Sequence, residues 1–86
     1  MGGAFRSGGS NWFYVGREKK LQLFDGALQA RQLVQLAPDT AAIDFADIDK
    51  DGDDDLIEFS QTGVTVRRWR QSDFAAPQQI IRERLA

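Results

Sequence analysis

Along most of the chain, hydrophobic and polar residues alternate with a period of two, the pattern of strands that bury one face. "NWFYVG" is aromatic and β-branched and reads as a strand by composition. The polar turn "REK" separates it from "KLQLF", where Leu21 and Leu23 share a face. Asp25-Gly26 is a strong turn pair. "ARQLVQL" beyond it fits either a strand or a short helix, and Pro38 and Asp39 end it. In "AAIDFADI" Ile43 and Phe45 fall on one side, and in "LIEFS" Ile57 and Phe59 do. "QTG" turns the chain into a further strand, "VTVRRW". "FAAPQQII" is a weaker fourth strand, which Pro77 assigns to a sheet edge. "IRERLA" is expected to end in a helical turn. The Gly/Ser-rich start, "MGGAFRSGGS", reads as a loop or frayed terminus, and no role is assigned to Phe5 within it.

The two halves resemble each other. An offset of 44 residues sets "LIEFS" on "WFYVG", so that Ile57 and Phe59 fall on Phe13 and Val15. With one residue less at the turn, an offset of 43 sets "VTV" on "LQL", and later an offset of 47 sets "QQII" on "RQLV". Four strands repeated every ~40–50 residues are the signature of propeller blades. The expected fold is therefore all-β, built of four-stranded antiparallel blades.

Composition restricts what holds such a chain together. With 86 residues it forms one small domain with a thin core. Cysteine and histidine are both absent. That removes disulfides, zinc–thiolate sites, the commonest transition-metal ligand and the commonest general base. A hard cation on oxygen ligands, or assembly with other chains, is left to act as a staple. The net charge is −2, yet Asp44 to Asp55 alone carries seven aspartates against Lys50. An acidic pole thus sits on a mildly basic body. No apolar run approaches the ~18 residues of a membrane span, and the start lacks the apolar stretch of a signal peptide.

The acidic pole has a specific pattern. In "DIDKDGDDDLIE", Asp47, Asp49 and Asp51 alternate and Gly52 follows at the sixth position. Alternate acids before a glycine let the chain curl round one point, with the glycine taking the bend that a side chain would obstruct. Calcium prefers six to eight oxygens at ~2.3–2.6 Å, and carboxylates plus one backbone carbonyl supply them. The string also satisfies an EF-hand pattern through Glu58. The flanks, however, alternate as strands, Gly63 interrupts any following helix, and Asp54 occupies a position that is apolar in paired EF-hand loops.

"FADIDKDGDDDLIEF" followed by "GVTVRRW" resembles the FG-GAP/VCBS repeat of integrin-like β-propellers. The resemblance implies a calcium loop between the first two strands of a blade. Asp47, Asp49, Asp51 and Asp55 would be its side-chain ligands, Asp53 its backbone-carbonyl ligand, and Glu58 a strand residue outside the site. It covers residues 40–86 as one complete blade. Residues 1–39 match as a partial, degenerate blade whose first strand is missing or vestigial and whose loop has lost its aspartates. The chain would then hold just under two blades, where closed propellers use roughly four to eight. As a complete chain it is expected to finish the ring as a homo-oligomer, to use Ca²⁺ as a structural staple, and to act in scaffolding or adhesion outside the cell or at its surface.

Other features carry less. Arg67 to Arg70, "RRWR", would suit nucleic acid, but the acidic pole and a sequence pI of about 4.9 oppose phosphate. Trp69 is expected to pack on a neighbouring blade while the arginines lie in water. Trp12, Phe13 and Tyr14 suit core packing, or alternatively a sugar-stacking platform of a lectin-like module. No catalytic constellation is present, and the protein is expected not to be an enzyme.

Overall fold

The structure, a computed structural model, describes residues 1–81. Eight strands form two four-stranded antiparallel sheets. The first contains β1 (Gly2–Ser7), β2 (Ser10–Arg17), β3 (Lys20–Phe24) and β4 (Ala30–Gln35), side by side in chain order. The second repeats that order with β5 (Thr40–Ala46), β6 (Asp55–Ser60), β7 (Gly63–Arg67) and β8 (Gln78–Ile81). These are two propeller-blade-like sheets in an unclosed arrangement. The segment left open between strand and helix is strand β4, and β8 begins directly after Pro77 at a sheet edge. The "IRERLA" expectation lies outside the described residues beyond its first position.

The glycine-rich start is not a loop. It forms β1, paired along its whole length with β2 from Gly2↔Val15 to Ser7↔Ser10. Gly8 and Gly9, at φ +61° and +72°, make the two-residue turn between them, which only residues tolerant of positive φ close without cost. The first strand expected to be missing is therefore present, and Phe5 on it is buried. The next turn, Glu18-Lys19, has positive φ at both residues without a glycine. Contacts to the β4–β5 link hold it: the Lys19 carbonyl accepts from Leu36 N–H at 2.8 Å and from Gln35 Nε2 at 3.0 Å, and Lys19 Nζ donates to the Thr40 carbonyl.

The turns also correct the repeat register. Glu18-Lys19 and Gln61-Thr62 are both two-residue connections, Arg17↔Lys20 closing one and Ser60↔Gly63 the other. A single offset of 43 residues therefore relates β2–β3 to β6–β7, so Tyr14 corresponds to Ile57 and Leu23 to Val66. The 44-residue offset matched side-chain type but slipped by one position, which exchanges the faces of a strand.

The core lies between the sheets. Phe5, Trp12, Leu21, Leu23 and Val34 from the first sheet meet Leu56, Trp69 and Phe74 from the second, with Tyr14, Ile43 and Phe45 packed beside them. The Phe5 and Phe45 rings stack at 4.5 Å between centroids, and Trp12 meets Trp69 edge-on at 4.9 Å. Trp69 thus packs on the neighbouring sheet as expected. Of the three β2 aromatics, Trp12 and Tyr14 point inward and Phe13 points out. Trp12 is buried, so the aromatic run offers no sugar-stacking platform.

One polar network sits within this apolar contact. Buried Glu58 accepts from Arg67 Nε at 2.7 Å, from Thr40 Oγ1 at 3.2 Å and from Ala37 N–H at 3.4 Å. Arg67 Nη2 in turn donates to the Gln35 carbonyl on β4 at 2.8 Å. Arg67 therefore does not lie in water; it is drawn inward because Leu56, its cross-strand partner, faces the core. Every polar group here has a partner, the condition under which a buried ion pair is tolerated.

Two outcomes follow. Phe5→Ala is expected to cost about 3–5 kcal/mol in urea unfolding, as for a buried aromatic and not for a frayed terminus. Glu58→Ala is expected to cost about 3–5 kcal/mol by leaving Arg67 uncompensated, and a Glu58→Met, Arg67→Leu double variant should recover most of that loss.

Candidate metal centre

The acidic segment Asp47–Asp54 connects β5 to β6 of one sheet, closing on the Ala46↔Asp55 pair. Strands on both sides exclude the EF-hand alternative, which needs helices. The loop folds on itself through Asp47, whose carboxylate accepts from Asp51 N–H at 3.1 Å and Gly52 N–H at 2.8 Å. Gly52 at φ +93° and Lys50 at φ +59° supply the bends. The Asp51 carboxylate accepts from Asp53 N–H at 2.9 Å.

Carboxylate oxygens of Asp47, Asp49 and Asp55 converge within 4.8 Å of one another. Two oxygens bound to one calcium at ~2.3–2.6 Å stand no more than about 5 Å apart, so the three groups fit one such ion. Asp55 is the buried member. Its carboxylate is fixed by Trp69 N–H at 2.8 Å and Ile48 N–H at 3.3 Å. The cluster is thereby tied to the same Trp69 that fills the inter-sheet core.

Crowding shifts two carboxyls of the loop in opposite directions. For Asp51, the Asp53 N–H favours the charged form, but burial, the shared hydrogen bond with Asp49 and the charges of Asp49 and Asp47 outweigh it and raise its pKa. For Asp49, burial pushes upward, but hydrogen bonds from Asp51, Arg68 and Asp47 prevail and its pKa is lowered. Arg68 Nη1 stands 3.2 Å from Asp49 Oδ2, a local cation supplied by the "RRWR" stretch.

The remaining acids face elsewhere. Asp53, expected to contribute its backbone carbonyl, directs its side chain to Gly8 N–H at 2.5 Å. Asp54 exchanges two bonds with edge strand β1, its N–H to the Arg6 carbonyl and its Oδ2 from Arg6 N–H, both at 2.9 Å. Its carbonyl accepts from Ser7 Oγ at 3.0 Å. The loop therefore does two jobs: one half gathers carboxylates and the other clips the second sheet to the first. The clip is hidden in the sequence because the Gly/Ser-rich β1 carries little strand propensity. A Gly-Gly pair flanked by alternating Phe5 and Ser7 was the available hairpin signal.

No protein-family model, curated protein or solved structure matches this chain. Fold and site together define its class: a small all-β protein of two propeller-blade-like sheets with an acidic cluster suited to metal coordination.

Asp51→Asn provides a test of the crowding. In metal-free buffer at neutral pH it should raise the melting temperature, since a raised carboxyl pKa marks a group whose ionisation opposes folding. That effect should vanish as pH falls below the ordinary carboxylate range, where the wild-type carboxyl is protonated in both states. Removing a negative charge next to Asp49 is also expected to weaken binding of a divalent cation at the Asp47, Asp49 and Asp55 cluster, as read by titration calorimetry.

Proposed function

We propose that the chain is a calcium-binding β-propeller repeat unit of FG-GAP/VCBS type, in which the ion is structural. The observation that carries this reading is the convergence of Asp47, Asp49 and Asp55 at the entrance to β6, with Asp55 anchored to the Trp69 backbone. A cation there neutralises acids that otherwise repel, and it orders the loop whose other end grips β1. Asp47, Asp49 and Asp55 supply side-chain oxygens, and Asp51 stands beside them through its contact with Asp49. The Asp53 carbonyl completes the set that the family resemblance implies.

The role proposed is scaffolding or adhesion and not catalysis. Self-assembly into a closed ring covers the sheet faces that one chain leaves open. Nucleic acid is not the partner in this reading, because Arg67 is committed to Glu58 and Arg68 to Asp49. No helix among the described residues is long and apolar enough to cross a membrane. A weak site, with Kd of ~10⁻⁴–10⁻³ M, suits a calcium-rich extracellular setting.

Calcium binding to the folded state alone should add ~2.7 kcal/mol at a hundredfold excess over Kd. The melting temperature measured in millimolar calcium is therefore expected to drop on addition of EDTA. Identical melting curves in the two buffers would overturn the structural role of the ion.

A further inference from the structure

The corrected repeat register assigns an occupant to the two outward sheet faces, on which Phe13, Val15, Leu33 and Phe59 stay exposed. Cross-strand pairing places Phe13, Val15, Gln22 and Leu33 on the outer face of the first sheet. Phe13, Val15 and Leu33 are 37%, 53% and 56% exposed. At the 43-residue offset, Phe13, Val15 and Gln22 correspond to Leu56, Glu58 and Thr65. Those residues form the face of the second sheet that already packs on the first.

The converse holds at the other end. The outer face of the second sheet carries Ala42, Asp44, Ile57, Phe59, Val64 and Val66. Ile57, Val64 and Val66 correspond to Tyr14, Leu21 and Leu23, the first-sheet residues packed toward the second sheet. Ile57 and Val66 are already buried within the chain, whereas Phe59 on the same face is 41% exposed. Each outward face is thus the counterpart of a face that packs inside the chain, and the two outward faces are of opposite kind.

We infer that the outer face of the first sheet of one chain docks on the outer face of the second sheet of another copy, head to tail, repeating between chains the contact made within one. This rests on the self-assembly proposed above and specifies its surfaces. A contact between unlike faces is heterologous, so it generates a ring if the rotation closes and a filament if it does not. A closed ring built this way has an even number of blades.

Two variants test it, Val15→Lys on the first sheet and Phe59→Lys on the second, each with folding checked by circular dichroism. In calcium-containing buffer the wild type is expected to sediment as an oligomer and each variant alone as a monomer. An equimolar mixture should give a dimer, because each variant keeps the face that the other has lost. A wild-type monomer would overturn the self-assembly reading and this inference with it. A wild-type oligomer with either variant still assembling, or with a mixture that stays monomeric, would overturn the head-to-tail surfaces alone. Should Val15→Lys fail to fold, Leu33→Lys on the same face takes its place. Val64→Lys substitutes likewise for Phe59→Lys.

Discussion

The stacking of Phe5 on Phe45, with Trp12, Trp69 and Phe74 around them, is the contact on which the molecule depends. A four-stranded sheet in isolation has two wet faces and too little apolar burial to offset the entropy of ordering its backbone. Joining two sheets through one aromatic layer gives each a dry side. The four-residue link Leu36–Asp39 holds the second sheet close to the first, and Leu36 itself is buried in the contact.

Polar groups then fix how the sheets meet. Aromatic packing tolerates small rotations, whereas a buried carboxylate demands particular partners. Glu58 finds Arg67, Thr40 and the Ala37 N–H, and Arg67 reaches across to the Gln35 carbonyl. At the opposite end, Asp53 and Asp54 hold β1 by its backbone and by the Gly8 turn. One end is closed by an internal ion pair and the other by the acidic loop. This gives the loop a structural consequence independent of its sequence motif: whatever orders Asp47–Asp55 also steadies the seam between the sheets. The same geometry explains why Asp53 and Asp54 do not converge on Asp47, since they serve the seam.

The proposed docking of unlike outward faces would give the fold its second consequence. A repeat that packs face to back never runs out of unsatisfied faces until it closes. Two sheets satisfy one such contact and leave one outward face of each kind, with Phe13, Val15 and Leu33 exposed on one and Phe59 on the other. Assembly is in this view the same physical process as folding, continued between chains.

β3, β5 and β6 were legible from alternation, because a period of two is imposed by the pleat whatever the strand packs against. By contrast, β2 was legible from its aromatic and β-branched composition, and the β4 segment fits either strand or helix. The acidic loop was legible because Asp47, Asp49 and Gly52 must stand at fixed spacing to curl round one point. Phe5 was not: a strand of Gly, Gly, Ala and Ser carries no propensity signal, and only pairing with β2 makes it one. The faces were not legible either, since a shift of a single residue exchanges inside for outside, and the turn Gln61-Thr62 settles it through hydrogen-bond register. Nor did composition reveal which arginine would leave the water or which aspartates would bind β1. Those choices belong to groups far apart in the chain, and they are decided only when the two sheets close on each other and every buried charge must find a partner.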